Sequence, residues 1–138
     1  MYTLMSTPLE DDFLDCTLWQ KMLDQESGCG FAPGACIGVL RREDFIARKG
    51  RMLVWQGEIS GMRALARDYA GEAGADLAVL LVADHPAVQI LQTQGLSSLR
   101  ALVHRNKLQP YILKTMDQLQ AAGLEDFIEE LGLMFPKH

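Results

Sequence analysis

From Leu9 to Leu23 apolar residues recur every three or four positions: Leu9, Phe13, Cys16, Trp19 and Leu23. That spacing lays one apolar stripe along a helix and predicts a helix ending at about Glu26. Thr7 suits its cap, Pro8 its first helical position and Glu10 the matching capping-box position. Asp11, Asp12 and Asp15 fall in the early turns, where the helix dipole favours negative charge.

The pattern then changes. Ser27–Gly34 holds three glycines and a proline and reads as a loop. Ala35–Leu40 and Arg51–Gln56 read as strands. Between them, Arg41–Gly50 is charged and fits either a helical turn or a hairpin closing at Lys49-Gly50. Glu58–Gly71 carries Ile59, Met62, Leu65, Ala66 and Tyr69 at helical spacing, which predicts a second helix. Leu77–Ala83 is an unbroken apolar run that stops at Asp84-His85-Pro86, the mark of a strand buried on both faces and feeding a helix. Helices are expected over Pro86–Gln94, Ser97–Asn106, Pro110–Ala122 and Leu124–Leu131, with Gly95, Gly123 and Gly132 closing three of them. The tail Leu133–His138 keeps Met134 and Phe135 apolar.

These elements predict an α/β or α+β fold with a small sheet of about three strands, covered by helices and followed by a helical C-terminal half. No repeat, linker or low-complexity segment divides the chain, so residues 1–138 are expected to form a single domain. The length of 138 residues is ample for one core.

Composition narrows the function classes. The net charge of −5 argues against nucleic-acid binding by the whole surface. Leu77–Ala83, the longest apolar stretch, is far below the roughly 20 residues of a membrane span. The N-terminus lacks the basic and long apolar segments of a signal peptide. A cytoplasmic protein without membrane contact is expected. Its three cysteines, Cys16, Cys29 and Cys36, would remain thiols.

The strand-to-helix turns offer the first candidate chemistry. If the strands ending at Gln56 and Ala83 are parallel neighbours, the turns at 57–63 and 84–86 share one sheet edge, where open α/β sheets bind ligands. Ser60 and Arg63 would hold an anion or phosphate, and Asp84 and His85 would serve in acid–base work. The plainer reading makes Asp84 a helix cap. Cys29 and Cys36, with six residues between them, have no zinc spacing and no second pair nearby. His85, His104 and His138 lie far apart, so neither a metal nor a cofactor motif emerges, and no coherent catalytic set is present.

Two basic concentrations stand out: Arg41, Arg42, Arg48, Lys49 and Arg51, then Arg100, His104, Arg105 and Lys107. If they share one face they suit nucleic acid. At the C-terminus, Phe127, Leu131, Met134 and Phe135 form an apolar set on an acidic amphipathic helix and tail, the kind of element used for dimerisation.

The leading expectation is therefore a small cytoplasmic interaction or regulatory protein, homodimeric or bound to a protein partner through Phe127, Leu131, Met134 and Phe135. The second is a small-molecule binder or enzyme using Ser60, Arg63, Asp84 and His85. The third is a nucleic-acid binder through the basic clusters.

Overall fold

The computed structural model describes residues 15–25, 32–59, 61–72 and 74–131. The expected helix start at Thr7–Glu10 lies outside these residues, as do Cys29, Ser60, Met134 and Phe135. Along the chain run α1 (Cys16–Asp24), β1 (Cys36–Arg41), α2 (Arg42–Ala47), β2 (Gly50–Glu58), β3 (Gly61–Tyr69), β4 (Leu77–Ala83) and α3 (His85–Gln94). A short 3-10 turn, Leu96–Ser98, leads into α4 (Leu99–His104), then β5 (Leu108–Ile112), α5 (Met116–Ala121) and α6 (Glu125–Glu130).

The fold is mixed α/β, built on a five-stranded sheet in the order β3-β2-β1-β4-β5. β1 and β4 pair in parallel, and the other neighbours are antiparallel. β4 has the bounds its apolar run predicts, and all seven of its residues are buried. It lies between β1 and β5 and carries buried apolar side chains on both faces, which is why no polar alternation interrupts it.

The two strands beyond the expected three both replace expected helices. Residues 61–69 form β3, not a helix, and pair along their whole length with β2. Their alanine, arginine and leucine content favours a helix, but pairing with β2 overrides that preference. Gly61, at φ +146, takes up the backbone geometry of the hairpin turn. Residues 108–112 form β5, although the sequence predicts a helix from Pro110. Pro110 sits inside that strand, which runs along the sheet edge, where a missing N–H is tolerated.

Each edge of the sheet is blocked at one point. At β3 the carboxamide of Gln20, from α1, takes the place of a sixth strand. Its Nε2 donates to the Met62 carbonyl at 2.7 Å, and its Oε1 accepts from the Ala64 N–H at 2.9 Å. At β5 the Leu113 N–H and the Lys107 carbonyl turn towards β4, so by alternation the missing N–H of Pro110 falls on the outward side. Gln20→Ala leaves a partly buried donor and acceptor unpaired and is expected to cost about 1–2 kcal/mol. Urea unfolding reads that loss, and a variant of unchanged stability would show that water replaces the carboxamide.

The larger core lies on the face covered by α1 and α3–α6. Trp19, Trp55, Leu81, Leu91, Leu124, Phe127 and Leu131 are buried in it at 1% exposure or less. Trp19 and Trp55 meet with ring centroids 5.9 Å apart. The Trp55 Nε1–H is buried with no partner among the described residues. The second face holds Cys36, Leu40, Met52, Val54, Tyr69, Leu77, Leu80 and Val82, with Phe45 of α2 and Leu65 packed against them.

Candidate functional site

The strand directions place the expected site residues at opposite ends of the sheet. β1 and β4 run in parallel and end together at Arg41 and Ala83. β2 runs against β1, so the β2–β3 turn, with Arg63, lies at the far end. The turn at 57–63 is a β-hairpin, not a strand-to-helix turn. Arg63 therefore does not converge with Asp84 and His85, and Ser60 lies outside the described residues.

Each half of that expected site has its own local explanation. Arg63 pairs with Glu58 at 3.6 Å. The cleft beside it, about 310 Å³, is lined by Gln20, Asp24, Glu58, Gly61, Met62 and Arg63. Its two carboxylates outnumber the single guanidinium, which disfavours an anion. Asp84 caps α3: its Oδ1 accepts from the Ala87 N–H at 3.0 Å, and its Oδ2 lies 4.0 Å from Lys107 Nζ. His85 begins α3 beside it, and its Nε2 is shielded with no hydrogen-bond partner among the described residues. Among the described residues no group of three or more His, Cys, Asp or Glu side chains is placed to hold a metal ion.

The end where β1 and β4 finish is built differently. After β1 the chain turns into α2 on the second face, and after β4 it turns into α3 on the first. α2 has six residues and is held from three sides. Arg41 clamps Asp44 with Nε and Nη2 at 3.1 and 2.9 Å, an ion pair whose side chains are only 11% and 14% exposed. Arg42 Nη2 reaches the Asn106 carbonyl at 3.4 Å, tying α2 to the turn before β5. Phe45 stacks on Tyr111 of β5, centroids 5.3 Å apart. Arg48, at φ 60, closes the helix in the left-handed conformation.

This arrangement leaves apolar surface uncovered. Ile46 is 74% exposed and Tyr111 38%, and Leu113, two residues beyond, is 42% exposed. Ile46 directly follows Phe45 on α2, and Phe45 stacks on Tyr111, so exposed apolar side chains of α2 and β5 flank this stack.

Both basic clusters reach this end, because Lys107 directly precedes β5, whose Leu108 faces Ala83. Arg100 is separate: it bonds the Glu129 carbonyl at 2.7 Å. Sequence reasoning missed the patch. Tyr111 falls within an expected helix, and the stacking on Phe45 depends on β4 standing between β1 and β5, which no local signal encodes.

The C-terminal set reads differently from expectation. Phe127 and Leu131 are 1% and 0% exposed and belong to the main core. α6 turns its apolar side inward, so these two residues offer nothing to a dimer partner. Met134 and Phe135 lie outside the described residues.

Cys36 is buried, its Sγ–H donating to the Gly34 carbonyl at 3.6 Å. Burial pushes the thiol pKa up, the Asp76 carboxylate pushes it further, and Arg67 only partly offsets this. Asp76 is in turn held below the usual carboxylate range, first of all by its hydrogen bonds from Arg67, at 3.0 and 2.9 Å. A thiol kept protonated is a poor nucleophile. Native Cys36 is expected to resist iodoacetamide at neutral pH and to react once the chain is unfolded in urea. Mass mapping of the labelled peptide checks this.

No family model matches the chain, and no curated protein matches it. Among solved structures, one similar chain is the solution structure of a conserved hypothetical protein from Thermus thermophilus, suggested to be a sterol carrier protein. The two share 17% identity over 99% of this chain and 94% of the other, with a TM-score of 0.38. A likeness of that size carries no argument about function. No helix among the described residues is long and apolar enough to cross a membrane.

Proposed function

We propose that this protein works by protein–protein contact in the cytoplasm, as an interaction or regulatory module, and that its contact surface is the patch over α2 and β5. The observation that carries this reading is the exposure of Ile46 and Tyr111 around the Phe45–Tyr111 stack. Exposed aromatic and aliphatic side chains held on a rigid base are the usual anchors of such contacts. The base here is rigid because Arg41–Asp44, Arg42–Asn106 and the ring stack fix α2 against the sheet. Contact through side chains is favoured over strand addition, since Gln20 and Pro110 each interrupt an edge of the sheet.

The test is affinity purification of the full chain from its own cells as wild type, Ile46→Asp and Ile59→Asp. Ile59 is 95% exposed in the β2–β3 turn and serves as the control. A stoichiometric partner lost with Ile46→Asp and kept with Ile59→Asp is the expected result, with all three proteins melting at the same temperature. A partner that ignores Ile46→Asp would remove this surface from the account.

A further inference from the structure

We infer that the partner segment seated on the α2–β5 patch is an acidic, apolar polypeptide. This rests on the interaction reading above and adds the chemistry of the partner.

The charges around the patch carry the inference. Three basic side chains at this end are already matched: Arg41 with Asp44 at 2.9 Å, Arg51 with Asp68 at 3.2 Å and Lys107 with Asp84 at 4.0 Å. Arg42, Arg48, Lys49 and Arg105 have no ion pair among the described residues, against the carboxylates of Glu43 and Glu72. Their positions follow from the fold. Arg42 shares one side of α2 with Ile46, four residues on. Arg48 and Lys49 leave the C-terminal end of α2, and Arg105 sits in the turn that receives Arg42. Ile46 therefore stands between Arg42 and Arg105 at one end of α2 and Arg48, beside Gly71, with Lys49 at the other, on a chain whose net charge is −5.

An apolar centre recognises aliphatic and aromatic side chains by burial, and a positive rim selects carboxylates and raises the association rate. Nucleic acid fits less well. One face of the Tyr111 ring is already taken by its stack on Phe45, Ile46 offers no flat face to a base, and the net charge of −5 repels phosphate. A basic partner would meet four like charges at the rim.

The experiment selects a random-peptide display library against the full chain and measures fluorescein-labelled winners by anisotropy. The winners should be rich in Asp and Glu together with Phe, Leu or Trp. Arg48→Glu with Lys49→Glu should weaken them about tenfold, and added salt should weaken them on the wild type more than on this double variant. Ile46→Asp should weaken them at least as much at every salt concentration. Melting curves confirm that each variant is folded, and a second double variant, Arg48→Gln with Lys49→Gln, should fall in between.

Winners that need Ile46 but carry no acidic excess, or ignore the charge reversal, overturn this inference and leave the interaction reading standing. A library that gives no binder dependent on Ile46 overturns the reading itself. A labelled oligothymidine that binds more tightly than the best peptide, with a steep salt slope, overturns the inference in favour of nucleic acid. A salt-sensitive dimer abolished by the same variants makes the occupant a second copy and overturns a separate partner.

Discussion

Phe127→Ala should lower stability by about 3–5 kcal/mol and the melting temperature by about 10–20 °C. Phe127 is 1% exposed, and α6 closes the core together with Leu124 and Leu131, both at 0%. Removing its ring leaves a cavity that Ile128 and Leu131 cannot refill without moving the helix. The loss is a large share of the roughly 5–15 kcal/mol that usually holds a domain of this size. If Phe127 instead served a dimer interface, the variant would keep its melting point at low concentration and lose only self-association. Melting curves at several protein concentrations separate the two results.

Gly50→Ala should cost about 2–4 kcal/mol, for two reasons that add. Gly50 has φ +141, a region that residues with a Cβ rarely enter, and an added Cβ would stand 2.6 Å from Cγ of Asp44. The clash pushes Asp44 away from Arg41, and that ion pair anchors the first turn of α2. The variant should therefore also weaken whatever binds the patch, although Gly50 itself makes no contact there. Gly34→Ala is the control. Its φ is +90 but, among the described residues beyond its chain neighbours, none comes within 4 Å of the new Cβ, so it bears strain alone and should cost about 1 kcal/mol. Urea unfolding of the two variants measures the difference, and equal losses would show that the Asp44 contact relaxes freely.

Where one physical signal dominates, the sequence is readable. The run Leu77–Ala83 is apolar throughout because β4 is buried on both faces, so its bounds, its type and the Asp84 cap of α3 follow directly. β3 and β5 are unreadable because their local preference opposes their final state. Residues 61–69 carry good helix formers, and Pro110 suggests a helix start, yet long-range pairing wins at both. The candidate site suffers most. Its helix α2 is six residues long with no cap bond from a side chain, and the Arg41–Asp44 pair, the Arg42–Asn106 bond and the Tyr111 stack hold it in place. The exposed side chains of an edge strand cannot be separated from core side chains until the strand order is known. Phe127 and Leu131 illustrate the converse: an amphipathic terminal helix has the same pattern whether it faces a partner or its own core.

The most direct test of the proposed surface is site-specific photocrosslinking in living cells. A benzophenone amino acid replaces Ile46 in one variant and Ile59 in another. Both positions are exposed, Ile59 at 95% more so than Ile46 at 74%, so exposure alone favours a crosslink at Ile59. The account predicts a single defined adduct from position 46, an acidic protein by mass spectrometry, and none from position 59. Adducts of equal yield from both positions, or from position 59 alone, would contradict it.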